Sequence, residues 1–404
     1  MGTGQASPGL VVVGASLAGL RAVEAARKTG YTGSITLVGA EPHLPYDRPP
    51  LSKGFLDAGA EEAHPSLRTE TELAELGVTL RLGSPATALD PDTDVLLVDG
   101  QALPYTALVV ATGSSPRSLP LPALAGVNVL RTVEDARAVR RALEQGAATV
   151  VVGGGFIGAE IASAARKRGL PATIVEAAAV PLERAVGAQM GQVCAALHAR
   201  HGTDLRVNTS VTAFAGDGRV EKVVLSDGSV LAADLVVVGI GSAPNTAWLA
   251  GSGVEVSDGI VCDATLASTR AGVYAAGDVA RWHNPLFDAD ASMRLEHWTS
   301  AAEQGAVAAR NALDPGAAVA YATVPYAWSD WYGQRLQMVG VPGAQEVLLV
   351  GGPDDPTWVA LYRRGDRLGA ALTFNLPGRI MKFRRLIAQG GSWQDALELA
   401  TPSR

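Results

Sequence analysis

The sequence predicts an α/β protein with two dinucleotide-binding βαβ domains and a C-terminal α+β domain. Three observations predict it. A strand, a glycine-rich turn, a helix and a second strand occur twice, about 140 positions apart. Asp-Gly pairs divide short alternating runs as hairpin turns do. From Tyr321 onward the texture changes to strands that share four of the seven tryptophans with two following helical stretches. A chain of 404 residues at roughly 150 per domain has room for two or three domains.

The first βαβ unit reads as a strand from Leu10 to Val13, a helix from Leu17 to Lys28 and a strand from Ser34 to Val38. The second reads as a strand from Ala148 to Val152, a helix from Phe156 to Arg168 and a strand from Ala172 to Val175. Asp99-Gly100 follows a strand from Val95 to Val98. Asp217-Gly218 and Asp227-Gly228 divide Val211 to Val238 into a three-stranded meander. Near the C-terminus, strands at 336–339, 346–350 and 358–362 precede helices at 377–388 and 393–399. The expected domains are 1–113 with 234–313 for one nucleotide, 114–233 for the other, and 314–404 as the α+β domain.

Composition excludes several classes. Lys and Arg total 33 against 40 Asp and Glu, a net charge of −7. A nucleic-acid binder that neutralises phosphates carries the opposite balance. Apolar runs are about four residues long, whereas a membrane span needs about 20. The opening MGTGQASPGL has neither a basic nor an apolar leader region, so no secretory leader is expected. Cys194 and Cys262 are 68 positions apart, which excludes a CxxC redox centre and a cysteine-cluster metal site. No metal centre is expected. The chain is expected to be cytoplasmic with both thiols reduced.

The two glycine loops carry the chemistry. In Gly14-Ala-Ser16-Leu-Ala-Gly19, Gly14 permits the tight turn and Gly19 lets helix and strand pack closely. The middle position is Ser16, so the strict GxGxxG is broken. Serine is small and can itself hydrogen-bond a phosphate at the helix N-terminus. Glu41, 22 positions after Gly19, is the candidate for an adenosine ribose. The second loop, Gly153-Gly-Gly155-Phe-Ile-Gly158, is intact, and Glu176 ends the next strand 18 positions later. A carboxylate there accepts ribose hydroxyls and repels a 2′-phosphate. Three alanines follow it and Arg184 is the first basic residue, the one group that could swing in. NADH is favoured over NADPH. The apolar strand into Gly277-Asp278 brings a carboxylate against a polyol, and Thr112-Gly113 ends a companion strand. Two nucleotide folds in one chain indicate one bound cofactor and one that diffuses.

On these residues the chain resembles the FAD-dependent, pyridine-nucleotide ferredoxin reductases of the glutathione-reductase fold. These serve haem-thiolate monooxygenases and aromatic-ring dioxygenases. The resemblance runs from about Leu10 to Leu399. It is most specific in His43-Leu-Pro-Tyr-Asp-Arg48-Pro-Pro-Leu-Ser-Lys53, then in Gly153 to Glu160, Thr269 to Asp278, Arg294 to Trp298 and Val324 to Asp330. It implies that the first loop, Arg48, Lys53, Asp278 and the Glu296-His297-Trp298 segment surround FAD, with Asp278 on the ribityl chain. It implies that the Gly153 loop and Glu176 receive NADH. It places Lys53 near flavin N5, paired with Glu160, and aromatic groups from the Trp298 and Trp328 segments beside the ring. A lysine–carboxylate pair at about 4 Å interacts by about 4 kcal/mol before desolvation.

Relatives that reduce disulfides or peroxides carry cysteine where this chain has PHLPYDRPPL. Electrons therefore leave for an external partner, implied to be a 2Fe-2S ferredoxin. The run Gly378 to Arg385 carries four cations and no anion, which suits an acidic partner. Two other readings stand beside this one: a flavin NADH oxidase or peroxidase, and a non-catalytic NADH-binding flavoprotein like apoptosis-inducing factor.

Overall fold

The computed structural model describes residues 8–60, 66–287, 292–343 and 346–401. The reading of the first seven residues as leaderless lies outside these. The helices described are α1 (Leu17–Lys28), α2 (Glu70–Glu75), α3 (Val133–Glu144), α4 (Phe156–Lys167), α5 (Glu183–Arg200), α6 (Trp298–Leu313), α7 (Pro377–Ala388) and α8 (Trp393–Ala400). Among the described residues no helix is long and apolar enough to cross a membrane. The chain divides into two compact units. One comprises Met1–Asp47, Pro65–Ser115 and Ala243–Thr323, the other Arg48–His64, Pro116–Ser242 and Val324–Arg404.

In the first unit, parallel strands run in the order Val78–Arg81, Ile35–Val38, Gly9–Val13, Gln101–Val110 and Val273–Ala275. The ten-residue strand Gln101–Val110 has two kinds of partner. Its first half pairs antiparallel with Val95–Val98 across the Asp99-Gly100 turn, where both residues hold positive φ (50° and 72°). A two-residue hairpin loop needs that backbone geometry. Its second half joins the parallel sheet. Gly9–Val13 is buried at every position, as befits a strand covered on both faces.

Helix α6 lies against α1, and the fit depends on Gly305. A Cβ there would sit 2.1 Å from the Ala18 carbonyl oxygen. Gly305→Ala is expected to destabilise the unit by about 1–3 kcal/mol, because overpacking forces the helices apart. A lowered urea midpoint would register it. An unchanged midpoint would show that the two helices can slide without cost.

The second unit holds a parallel sheet in the order Asp204–Arg206, Ala172–Val175, Thr149–Val152, Leu235–Val238 and Val127–Asn128. Here the expectations need correction. Leu235–Val238 does not extend the meander. Val211–Ala215, Lys222–Leu225 and Val230–Ala232 form that antiparallel ribbon, and the next strand pairs parallel with Thr149–Val152. All four of its residues are buried, which a central parallel position explains and a two-faced ribbon does not. Residues 234–242 group with this parallel-sheet unit. Arg48–His64 likewise groups with the second unit, through Arg140 Nη2 donating to Ala60 O (2.6 Å) and Arg168 Nη2 donating to Leu56 O (2.8 Å).

The C-terminal sheet is antiparallel, in the order Tyr326–Trp331, Gln334–Gly340, Arg367–Phe374, Trp358–Arg364 and Glu346–Val350. Period-2 alternation gives it two apolar faces. Val339, Val359, Leu361 and Ala371 pack with Ile380 and Phe383 of α7 and Ala396 of α8. Leu336, Trp358, Ala360, Tyr362 and Leu372 pack with Met190, Cys194 and Leu197 of α5. One face of this sheet thus packs on α5 of the preceding segment, and the other is covered by α7 and α8.

Candidate active site

The first loop is built by sterics. Gly14 holds φ at 120°, and a Cβ there would lie 2.0 Å from Ala111 O. At Gly19 a Cβ would lie 1.9 Å from Gly14 O. Both positions therefore require glycine. Ser16 caps α1 through its backbone alone, and no acidic residue occupies the first turn. The N–H groups of that turn and the positive end of the helix dipole are thus suited to a pyrophosphate. Three residues beyond strand Ile35–Val38, Glu41 accepts the Tyr46 phenol hydrogen.

The same unit holds the Gly277-Asp278 turn. Gly277 has φ 76° and donates its N–H to Gln304 Oε1 (2.7 Å). Ser114 donates to Asp278 Oδ2 (3.0 Å), and Arg294 donates to the Asp278 carbonyl (3.1 Å) and to Glu296 (2.7 Å). Thr112 and Gly113 are engaged with Asn245. The Thr112 hydroxyl donates to Asn245 O (2.9 Å), Asn245 Nδ2 donates to Thr112 O (2.9 Å), and Asn245 N donates to Gly113 O (2.9 Å). Trp298 opens α6, and its indole donates to Asp47 (2.7 Å). His297 is the N-cap of α6, and its Nδ1 is buried with no hydrogen-bond partner among the described residues. Burial depresses its pKa, against the pull of Asp278 and Glu296, so the ring favours its neutral form. A buried polar atom without a partner beside an unblocked helix N-terminus fits a polar cofactor such as FAD.

In the second unit, Gly153 (φ 107°) and Gly158 repeat the steric logic. A Cβ at either would lie 2.3 Å from a backbone oxygen, of Gly239 and Gly153 respectively. Gly155 is the N-cap of α4, whose first turn is also free of acids. Glu176 is fixed over this loop. Its Oε2 accepts from Gly154 N and its Oε1 from Ala178 N, both at 2.7 Å. A carboxylate has about four acceptor positions, so two remain for ribose hydroxyls. Arg184 is exposed in the first turn of α5. The set fits NADH.

Lys53 and Glu160 meet in this unit, Nζ to Oε1, at 2.8 Å. The Glu160 side chain is only 3% exposed and that of Lys53 20%. Residues that sequence reasoning left out complete the surroundings. Ser52 donates to Glu160 Oε2, Ser329 donates to Oε1, and Asp330 N approaches Oε1 at 3.4 Å. Trp331 Nε1 donates in turn to Ser329 Oγ (2.7 Å). Both serines lie inside the motifs quoted above, but only the fold shows what they touch. Arg48 donates to the Arg131 carbonyl (2.7 Å), and Trp328 stacks on Tyr326 with centroids 5.7 Å apart. The cysteines are free and buried, and burial pushes both thiols up to about 12.

Comparison with known proteins agrees with this geometry. Residues 8–305 match the pyridine nucleotide-disulphide oxidoreductase family, and residues 326–403 match the reductase C-terminal family. The ferredoxin–NAD(+) reductase component of the anthranilate 1,2-dioxygenase system of Burkholderia cepacia is 40% identical over 97% of this chain and 97% of its own. Rhodocoxin reductase of Rhodococcus erythropolis is 37% identical over 94% of this chain and 89% of its own. The crystal structure of the covalent putidaredoxin reductase–putidaredoxin complex superposes with a TM-score of 0.92 at 34% identity, covering 98% of this chain and 96% of that one. With most of its length matched, the chain belongs to the pyridine nucleotide-disulphide oxidoreductase family.

Proposed function

We infer that the chain is an NADH-dependent, FAD-containing ferredoxin reductase that passes electrons to a 2Fe-2S ferredoxin serving a haem-thiolate monooxygenase or a ring dioxygenase. The observation that carries this reading is the state of the thiols. The family name refers to disulphides, yet both cysteines are free and buried, and burial raises their pKa far above neutrality. A thiol kept protonated is neither a nucleophile nor a redox relay. Cysteine-based peroxide or disulfide reduction therefore has no group to use, and electrons go to an outside acceptor. One named relative is the ferredoxin–NAD(+) reductase component of a dioxygenase system, and the superposing crystal structure is of a reductase joined covalently to putidaredoxin, which supports that acceptor.

FAD, when bound, supplies the chemistry that takes a hydride and gives up electrons singly. The chain's residues do the rest. The Gly14 loop and Asp278 hold the bound cofactor, with Glu296, His297 and Trp298 around it, and the family resemblance assigns Arg48 and Trp328 to the same cofactor. The Gly153 loop and Glu176 hold the diffusing nucleotide. The family resemblance assigns the Lys53 ammonium group to the flavin, and Glu160 pairs with that lysine. We place the protein in the cytoplasm, where thiols stay reduced. Mixing it anaerobically with NADH and a 2Fe-2S ferredoxin tests the reading. Ferredoxin bleaching is the expected result. Brisk peroxide formation in air, with none of several ferredoxins reduced, would overturn it.

Cofactor choice gives a separate prediction. The fixed Glu176 carboxylate repels a 2′-phosphate, so kcat/KM for NADH should exceed that for NADPH by at least about tenfold, or about 1.4 kcal/mol. Glu176→Arg should narrow or invert that ratio. Equal use of both nucleotides by the unaltered protein would show that Glu176 does not select.

A further inference from the structure

The Glu160 carboxylate is almost fully enclosed, and an ionised carboxylate in such a place must be matched by donors. Lys53 supplies one, but from a flexible stem with a fifth of its side chain exposed. The other donors come from groups with little freedom. Ser329 is completely buried in strand Tyr326–Trp331. Its hydroxyl has a single proton. Trp331 Nε1 can only donate, and it donates to Ser329 Oγ, so that oxygen accepts there. The one remaining proton is then free to point at Glu160 Oε1. Ser52, 7% exposed, faces Oε2. Its other acceptor, Pro49 O, lies 3.4 Å away, at the weak end of hydrogen bonding. The nearby Asp330 carboxylate is forked by Arg335 at 2.7 and 3.0 Å, so it does not compete for Lys53.

We propose that Ser52, Ser329 and Trp331 form a positioning device: Trp331 commits the Ser329 proton to Glu160, and the two serines keep that carboxylate ionised and aimed at Lys53. The lysine ammonium then has a fixed counter-charge wherever its stem moves. The consequence for the flavin rests on the proposed reading that Lys53 serves FAD. The C-terminal sheet thereby contributes directly to the Lys53–Glu160 site, through Ser329 and Trp331.

Two measurements on the FAD-loaded protein test this. The first is the infrared band of a protonated buried carboxyl at pH 7. It should be absent from the unaltered protein, appear in Ser329→Ala, and vanish again in Ser329→Ala/Glu160→Gln. Ser329→Thr, which keeps a hydroxyl, should restore the unaltered spectrum. Trp331→Phe removes only the donor that orients Ser329 and should give a weaker band of the same kind. A structural role alone would lower thermal stability in these variants without producing the band. Absence of the band from both Ser329→Ala and Trp331→Phe would overturn the proposal. The second measurement is the FAD midpoint potential. Where the band appears, loss of the counter-charge should leave Lys53 unbalanced and move the potential upward. A band without any change in potential would support the serine device and overturn the placement of Lys53 at the flavin.

Discussion

Lys53→Met should cut NADH-driven ferredoxin reduction by roughly 100-fold, the lower end of the range seen when a preorganised donor is removed from a reacting centre. It should also weaken the fold. Removing one member of a buried pair leaves the other charge uncompensated and costs about 3–5 kcal/mol. Two features reduce that cost here. Lys53 is 20% exposed, and Glu160 retains Ser52, Ser329 and Asp330 N as donors. About 2 kcal/mol is therefore expected. The double variant Lys53→Met/Glu160→Gln separates the two effects. A neutral amide needs no counter-ion, so most of the lost stability should return. Turnover should not, because the cation remains absent. Urea denaturation and ferredoxin-reduction rates on the four members of the cycle give the coupling directly. Recovery of turnover together with stability would mean that the pair is a structural ion pair with no part in electron transfer.

How much of this could be read without the fold depends on the range over which each feature is determined. The glycine loops are local. Each βαβ unit forces positive φ or a backbone approach near 2 Å at fixed positions, and only glycine answers. Glu176 is local in the same sense, since a strand of known length carries it from the loop to its place. Helices at 17–28 and 377–388 and the hairpin at Asp99-Gly100 follow from periodicity and turn chemistry, and the structure has them at those residues. The failures are long-range. Leu235–Val238 reads as the end of the three-stranded meander because nothing nearby says that its partner is Thr149–Val152. Helix α6 is not among the helices read from the sequence, and the face it buries is made of small and polar residues such as Ser300, Ala301, Gln304, Gly305 and Ala308. Its sequence is rich in alanine and glycine, and the bulk it lacks is what lets it approach α1. The C-terminal sheet hides a second apolar face because the helix covering it, α5, lies about 150 positions earlier in sequence. Ser52 and Glu160 are 108 positions apart, and Ser329 lies a further 169 away. No spacing rule joins them. The Lys53–Glu160 pair itself was reached through resemblance, whereas the serines and Trp331 that enclose it required coordinates.

Electron exit should depend on the exposed cations of α7. The sequence marks Arg379, Lys382, Arg384 and Arg385 together, and the structure divides them. Arg379 donates to Ala400 O (2.9 Å) and Arg384 to Val324 O (3.0 Å), so both hold backbone in place. Replacing Arg384 would confuse docking with folding. Lys382 and Arg385 are exposed, and Met381, immediately before Lys382 in sequence, is 43% exposed, an apolar group beside charge. Such a face suits brief contact with an acidic protein. Lys382→Glu/Arg385→Glu should slow ferredoxin reduction by about tenfold at low salt, because rim charges act chiefly on association. Flavin reduction by NADH, measured by stopped flow without ferredoxin, should be unchanged. The unaltered protein should lose ferredoxin rate as salt rises from about 0.05 to 0.5 M, since the Debye length shrinks from above 10 Å to a few ångströms. The charge-reversed protein should lose little or gain, because its attraction has already been removed. If the double variant keeps its full low-salt rate and the same salt dependence, α7 is only a solvated face and the ferredoxin docks elsewhere. If both rates fall together, the substitutions have disturbed the nucleotide site, and the α7 assignment fails for that reason instead.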